Sequence, residues 1–276
     1  MRMALAVALL GGFVILAMAP PVVPKRSAFP AAMGWTETWS FSSVHATQAA
    51  CADATRAFAI SNGTVAVHDR ITGRLLSEGT SPGTKHLNSG FIHDGSVWCA
   101  HSNYPLTPHE SDVRVFDPIS GSLSVYHRFR DPPGSLVWCV RRPSNDEVES
   151  PDGWWCCFAH YGAQNHRTVL IEYSNEGDGF DREVRRFTFP RSVIEDFDHM
   201  SASGGIWDGD TLLVSHHHFK VVYRLAIPEQ GSELRLVEAL GCPFPGQGIA
   251  DDPTSGGLVG IDREKRAVIF ARPVGR

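Results

Sequence analysis

A unit of about 45 residues recurs along this chain, and such internal repetition constrains the possible folds more than any other feature of the sequence. Each copy contains short alternating runs of apolar and polar residues, bounded by turn signals, which predict antiparallel strands. The first two copies share the pattern V-x-V-x-D-x-x-[ST]-G, with its aspartate at Asp69 and Asp117. This hairpin marks the two outer strands of a four-stranded unit.

Later copies begin near Gly134 and Ser201, and an incomplete copy begins with the run GQGIA at residues 246–250. Asp-Gly pairs at 94–95 and 208–209 indicate tight hairpin turns within two of the copies. The incomplete copy supplies only three strands. The run WTETWSFS, residues 35–42, can provide the fourth by pairing with residues 267–271, which would remove an exposed sheet edge.

Four complete copies and one completed by the N-terminal strand predict an all-β fold, a closed five-bladed β-propeller spanning residues 33–276. The 26 glycines and 18 prolines, spread throughout the chain, agree with a fold rich in turns. The main structural alternative is an open β-sandwich assembly.

The N-terminal segment, residues 1–32, is predicted to be a signal peptide or membrane anchor followed by a linker. Arg2 precedes an uncharged run from Met3 to Pro24, and residues 17–19 form an A-x-A cleavage signal. An uncleaved anchor is the alternative, because the run is nearly long enough to span a bilayer. Both interpretations place the folded part outside the cytoplasm, with membrane contact only through this segment if it is retained.

Charge and cysteine content limit the classes of partner. The formal net charge is −5, and no basic run exceeds two residues, which argues against nucleic acid as a partner. Six cysteines in an exported protein could form disulfides, but several lie in apolar strand patterns and could equally be small buried side chains. The sequence contains no C-x-x-C pair and so gives no indication of a structural zinc site.

Histidines recur at the end of the second strand in three successive copies: His101, His160 and, allowing one residue of slip, His216 or His217. In a propeller these strand ends meet at one opening of the central channel. Converging imidazoles suit Zn²⁺ or a similar divalent metal, and without a metal one histidine could act as a general acid or base. We therefore predict His101, His160 and His217 as catalytic residues and metal ligands. The competing interpretation is that each ring simply binds the backbone of a loop.

Other polar residues are predicted at the same opening because they lie at the starts of first strands or just after second strands. Arg263 could hold a substrate carboxylate through a bidentate contact, or it could be structural. The predicted substrate-binding residues are His86, Asn88, Asn103, Tyr161, Gln247 and Arg263.

The runs HLNSG, AHSNYP, SDVRVFDP, GSLVW, FAHY, SASGG, GQGIA and GIDR together resemble a family of exported bacterial β-propeller proteins loosely labelled cycloisomerases. The resemblance covers residues 36–272, and AHSNYP and GQGIA are its most specific parts. It implies a five-bladed propeller and an isomerase-like or lyase-like activity. One departure is that the family's GHD reads His216-His217-His218 here, so the acid expected at His218 is missing. The sequence is also distantly similar, in blade number and export, to bacterial glutaminyl cyclases.

Together these features predict an extracytoplasmic propeller enzyme, monomeric, that acts on a small polar or carbohydrate-derived molecule at the channel mouth. Isomerisation, lactone chemistry and lyase-type proton abstraction all suit neutral histidines. The alternative is a non-catalytic propeller that binds a glycan or a protein.

Overall fold

The computed structural model describes residues 27–29, 32–142, 153–174, 179–180 and 182–275. The apolar N-terminal run predicted to be a signal peptide or anchor lies outside the described residues. Within the described ranges, no helix has the length and apolar character needed to cross a membrane.

The predicted five-bladed propeller is confirmed: the strands form five sheets of four or five strands each. Two strands precede the first complete blade: β1 (Ala32–Met33) and β2 (Trp35–Ser42). Blade 1 contains β3 (Ala49–Ala52), β4 (Arg56–Ile60), β5 (Thr64–Asp69) and β6 (Leu75–Thr80). Blade 2 contains β7 (His86–His93), β8 (Ser96–Ser102), β9 (Ser111–Asp117) and β10 (Ser122–Arg128).

The remaining blades follow in chain order. Blade 3 contains β11 (Ser135–Arg141), β12 (Gly153–Ala159), β13 (Val169–Ser174) and β14 (Glu183–Thr188). Blade 4 contains β15 (Gly204–Asp208), β16 (Thr211–Ser215), β17 (Val221–Ala226) and β18 (Arg235–Gly241). Blade 5 contains β19 (Ala250–Asp252), β20 (Gly257–Asp262) and β21 (Ala267–Pro273), with β2 as its outermost strand.

The five sheets close into a ring around a central axis. The innermost strand of each blade contacts the innermost strand of the next, in the order β3, β7, β11, β15, β19, and β19 contacts β3 again. This arrangement leaves no gap between the first and last blades and rules out the open β-sandwich assembly.

Strand β2 completes blade 5 by antiparallel pairing with β21, from Trp35 opposite Pro273 to Ser42 opposite Ala267. This is the pairing that the sequence predicted. Phe41 on β2 is buried in the cluster between blades 5 and 1, where it packs among Val259, Ile261 and other apolar side chains. Strand β1 was not predicted; it adds a parallel fifth strand at the outer edge of blade 4.

The core lies between neighbouring sheets, where side chains from facing strands interdigitate. Trp138, Trp155 and Tyr223 are fully buried in the cluster between blades 3 and 4. Gly205 makes this packing possible, since a Cβ atom there would come within 2.6 Å of the Trp138 ring. All six cysteines are buried and free, which agrees with their interpretation as small core side chains.

Two short helical segments lie in the connections between strands. A 3-10 helix (Gly162–Arg167) precedes β13, and α1 (Arg191–Asp196) follows β14. The carboxylate of Asp196 accepts hydrogen bonds from the Ser27 hydroxyl at 2.7 Å and the Ala28 backbone N–H at 2.6 Å. The Tyr223 hydroxyl donates to the same carboxylate. Residues 27–29 are thereby fixed to blades 3 and 4.

Candidate functional site

A cavity of about 600 Å³ opens at one end of the central channel, and every blade contributes to its wall. Its lining comes from the segments that enter the first strand and leave the second strand of the blades, as the repeat alignment predicted. The cavity is lined by Thr47, Gln48, Ser61, Asn62, Gly63, His86, Asn88, Tyr104, Val137, Tyr161, Met200, Ser203, His217, Gln247, Arg263 and Arg266.

Six of the residues predicted for the site face this cavity, and three do not. Those in the lining are His86, Asn88, Tyr161, His217, Gln247 and Arg263. Those outside it are Asn103, His101 and His160.

The loop Gly246-Gln247-Gly248 shapes one side of the cavity. Gly246 has φ +86° and its position leaves no room for a side chain, because a Cβ atom there would overlap the carbonyl oxygen of His217. Gly248 packs equally tightly against Ala49, which a Cβ atom would approach to 2.6 Å. Between them Gln247 adopts φ +69°, an uncommon backbone conformation for a residue with a side chain. The two glycines thus bring Gln247 directly against His217.

His217 is held in one tautomer by its neighbours. The Gln247 side-chain amide donates to the backbone carbonyl of His217 at 3.0 Å, which fixes the amide orientation and turns its N–H group toward Nε2 of the His217 ring, 3.5 Å away. Nε2 is therefore the unprotonated nitrogen, and Nδ1–H donates to the Ser203 hydroxyl at 2.8 Å. In this arrangement Nε2 is the basic atom, its lone pair meets the Gln247 amide only at 3.5 Å, and the Ser203 hydroxyl can donate a hydrogen bond to a ligand.

The two cavity histidines are neutral at pH 7. Burial lowers the pKa of His217 to about 3, with further electrostatic contributions from His218 and Arg263. Burial also lowers the pKa of His86 to about 4, and Arg263 contributes there as well. Each ring can therefore accept a proton in the ground state only if a ligand brings compensating negative charge.

Aromatic rings form the wall contributed by blades 2 and 3. The His86 ring lies 5.5 Å from the Tyr104 ring, which lies 4.8 Å from the Tyr161 ring, measured between centroids. Burial raises the pKa of Tyr161 well above its usual value, and Tyr104 adds to the effect. The Tyr161 hydroxyl therefore keeps its proton and is available as a donor.

Asn88 reaches the cavity because β7 bulges near its start. The register of the β7–β8 pair shifts between Leu87 and Gly90, and such bulges redirect side chains. The Asn88 amide donates to the backbone carbonyl of Leu136 at 2.7 Å and so joins blade 2 to blade 3. Asn88 both lines the cavity and ties two blades together.

His101 and His160 use their rings to hold loops of their own blades. His101 Nε2 accepts a hydrogen bond from the Lys85 backbone N–H at 2.9 Å, and its Nδ1 lies 3.0 Å from an Asp112 oxygen. His160 Nε2 donates to the Pro133 carbonyl at 2.6 Å. Both rings lie outside the cavity lining.

In blade 4, the histidine equivalent to His101 and His160 is His216 rather than His217. Its Nε2 donates to the Asp196 carbonyl at 3.1 Å, while Nδ1 accepts the backbone N–H groups of His218 and Phe219 at 2.8 and 3.0 Å. Each of the three equivalent histidines thus bonds the segment leading into the first strand of its own blade. His217, one residue later, is the one that faces the channel.

A three-histidine metal centre is not formed. Among the described residues, no group of three or more His, Cys, Asp or Glu side chains is arranged to hold a metal ion. Both ring nitrogens of His101 are already engaged and so do not face a metal. Its Nε2 accepts the Lys85 N–H, and its Nδ1 faces the Asp112 carboxylate.

Asn103 is engaged within its own loop. Its amide donates to the Pro108 carbonyl at 2.9 Å and accepts the Glu110 N–H at 3.0 Å. It shapes the loop that carries Tyr104 to the cavity wall.

Two lining residues that were not predicted are Gln48 and Asn62, whose side-chain amides are joined by a hydrogen bond of 2.5 Å. The signal that could have identified them was their position: Gln48 lies just before the first strand of blade 1 and Asn62 just after its second strand, as the predicted residues do in their blades.

A second cavity, of about 900 Å³, adjoins the first and shares His217, Gln247 and Arg263 with it. Its other walls include Phe219, Val221 and Pro245. The channel mouth therefore widens outward past blade 4 into a more apolar hollow.

Comparison with known proteins identifies relatives of the same fold but identifies no activity for this chain. No protein-family model matches the sequence, and no curated protein matches it. The crystal structure of Myxococcus xanthus glutaminyl cyclase is similar, with a TM-score of 0.52 and 12% identity over 88% of this chain and 98% of that chain. The shared property is the fold. The predicted distant similarity to glutaminyl cyclase-type propellers is thus confirmed at that level.

A PQQ-bound aldose sugar dehydrogenase from Streptomyces coelicolor has a TM-score of 0.47 and 11% identity over 89% of this chain and all of that chain (100%). At these identities, neither protein's activity transfers to this chain.

Proposed function

We propose that the channel mouth is the active site of an extracytoplasmic enzyme that acts on a small polar or carbohydrate-derived molecule. The observation that carries this proposal is the neutral His217 ring, oriented by Ser203 and Gln247 in the wall of a 600 Å³ cavity. The unprotonated Nε2 of this ring meets the Gln247 amide only at 3.5 Å, a contact that a ligand can replace. Cavities of about 300–1,000 Å³ with a few placed polar groups are typical of small-molecule sites.

Proton transfer is the chemistry that this arrangement supports. His217 Nε2 would remove a proton from the substrate, and the Tyr161 or Ser203 hydroxyl would donate a hydrogen bond to the oxygen that becomes negative; the protonated His217 ring would then return the proton to the product. Such a pair serves isomerisation, lactone opening and closing, and lyase-type elimination. No step of the proposal passes through a metal, because the described residues offer no three-ligand set.

The Ser203 hydroxyl is not proposed as a nucleophile. The His217 tautomer directs Nδ1–H toward Ser203, so this nitrogen cannot also take the hydroxyl proton. The serine instead orients the ring and can donate to a ligand.

The extracytoplasmic location belongs to the proposal. It rests on the sequence of residues 1–24, in which one arginine precedes a long uncharged run with an A-x-A signal.

The experiment is to incubate the purified protein with hexuronates, aldonolactones and neutral hexoses and to follow each by proton NMR in D₂O. Turnover or exchange of a carbon-bound proton is expected for one class and is expected to be lost in His217→Asn. His199→Asn serves as the control, because the His199 side chain is 78% exposed. Turnover that persists in His217→Asn would contradict the proposed role of this ring.

A non-catalytic propeller remains a second candidate because His101 and His160 bind loops rather than facing the cavity. For that function we expect a sugar or glycan to bind without chemical change in the same experiment.

A further inference from the structure

Within the part of the chain that the structure describes, Arg263 differs from Arg70, Arg114 and Arg224 in having no carboxylate partner. Arg70 pairs with Asp252 at 2.6 Å, Arg114 with Asp112 at 2.9 Å and Arg224 with Asp208 at 2.6 Å. The Arg263 guanidinium makes one hydrogen bond among the described residues, from Nε to the Thr47 carbonyl at 2.6 Å. Its two terminal nitrogens have no protein acceptor there, although Arg263 is half-buried in the cavity wall.

The described residues of the cavity wall offer no negative charge to balance this guanidinium, since they include Arg263 and Arg266 but no aspartate or glutamate. Glu264 lines the adjoining second cavity. A sheltered charge without a partner costs free energy, and a bound anion is the arrangement that removes this cost. The planar terminal nitrogens of arginine match a carboxylate in a bidentate geometry.

The groups around Arg263 suit a ligand with several hydroxyls. The joined amides of Gln48 and Asn62 and the hydroxyls of Ser61 and Ser203 line the same cavity and offer both donors and acceptors. The Tyr104 and Tyr161 rings, 4.8 Å apart, provide an aromatic surface against which the C–H face of a sugar ring can pack.

We propose that the channel mouth binds a polyhydroxy carboxylate, a sugar acid, whose carboxylate is held by the two terminal nitrogens of Arg263. This inference rests on the proposed function in placing the ligand at the channel mouth. Arg263 shares the cavity wall with His217 and Tyr161 and acts electrostatically on both, so a carboxylate seated on it lies near the proposed base and the proposed hydrogen-bond donor. The bound anion would also favour the protonated state of both cavity histidines.

The test compares acids with neutral partners of the same size: D-glucuronate with D-glucose, D-galacturonate with D-galactose, and D-gluconate with D-sorbitol. Thermal shift is measured at matched ionic strength, and titration calorimetry then gives the Kd of the acid with the largest shift. At least one acid is expected to raise the Tm more than its neutral partner. The inference is overturned if no acid does so.

Variants then test the role of Arg263. Arg263→Gln is expected to weaken binding of that acid about tenfold or more, and Arg263→Lys by less, because lysine keeps the charge but loses the bidentate contact. Arg272→Gln makes the same charge change at an exposed position of β21 and is expected to bind like the wild type. Equal binding by the wild type and Arg263→Gln would overturn the assignment. The wild-type comparison of acids with neutral partners remains decisive if a variant does not fold.

The NMR experiment separates this inference from the proposed function. An acid that binds through Arg263 but is never converted contradicts the enzymatic proposal and supports the carboxylate site. Conversion of neutral sugars with no preference for acids contradicts the carboxylate site and supports the enzymatic proposal.

Discussion

The Nε2 atom of His101 accepts a 2.9 Å hydrogen bond from the backbone N–H of Lys85, immediately before β7 begins. His160 and His216 make the corresponding contact with Pro133 and Asp196 in the next two blades. A buried imidazole thus fixes the approach to the first strand in three successive blades, and through it the position of the cavity wall.

We expect His101→Ala to destabilise the protein without removing a group from the cavity. The substitution leaves the Lys85 N–H without its acceptor and removes one of the two partners of the Asp112 carboxylate, which keeps Arg114; a lost buried hydrogen bond costs about 1–3 kcal/mol. Urea unfolding of the variant and of His199→Ala, an exposed control, measures the difference. A stable His101→Ala protein that has lost ligand binding would contradict this role and favour one at the ligand.

Acidification is expected to weaken the fold. Burial lowers the pKa of His217 to about 3 and those of His86 and His216 to about 4, whereas the unfolded chain protonates histidine near 6.5. Between about pH 6.5 and pH 4 these three histidines bind more protons in the unfolded state, so their contribution to the free energy of unfolding falls as the pH falls; Asp251, whose pKa burial raises to about 6, opposes part of this loss. Each histidine contributes at most about 1.4 kcal/mol per pH unit in that window.

Urea unfolding at pH 7 and pH 5 measures this loss of stability. His217→Asn removes one of the groups responsible and is expected to reduce the difference between the two pH values, whereas His199→Asn is expected to leave it unchanged. A difference that is the same in wild type and His217→Asn would show that His217 does not cause it.

Gly246→Ala is expected to disrupt the cavity more than a chemically identical change elsewhere in blade 5. Gly246 and Gly256 both have positive φ, +86° and +63°, so alanine at either position costs about 1–2 kcal/mol of backbone strain. Only at Gly246 does the added Cβ overlap the His217 carbonyl; at Gly256 nothing lies within 4 Å. We therefore expect both variants to lose stability but only Gly246→Ala to lose sugar-acid binding, measured by calorimetry. Equal binding losses would mean that the Gly246–His217 contact does not position the site.

Phe41→Ala tests the closure of the ring. Phe41 is 9% exposed and packs between blades 5 and 1, and truncation of a buried phenylalanine costs about 3–5 kcal/mol. Thr36→Ala, on the same strand but exposed, is the matched control. Denaturant unfolding measures both, and a Phe41→Ala effect no larger than that of Thr36→Ala would indicate that β2 contributes little to stability.

The repeat pattern was sufficient to predict the fold because strand alternation and turn chemistry are local. The Asp-Gly turns are present with Gly95 at φ +75° and Gly209 at φ +58°, and the N-terminal strand pairs with the predicted partner. Strand β1 was missed because two residues pairing along a sheet edge leave no periodic signal.

The site was predicted less well because it depends on the direction of single side chains. His216 and His217 are adjacent, yet one ring binds the Asp196 carbonyl and the other faces the channel. The alignment of repeats allowed either residue, and one position of slip exchanges the two roles. The hydrogen bonds that occupy His101 and His160 involve loop backbone atoms whose location the sequence does not specify.

Strand β2 pairs with β21, which is synthesised more than two hundred residues later in the chain. The blade that carries Gln247 and Arg263 is therefore the last to be assembled, and its completion depends on a contact between distant parts of the chain. Contacts of such long sequence separation form slowly. During synthesis the ligand pocket remains unfinished until both ends of the molecule have met, so a newly made chain is expected to acquire its binding activity in the final step of folding.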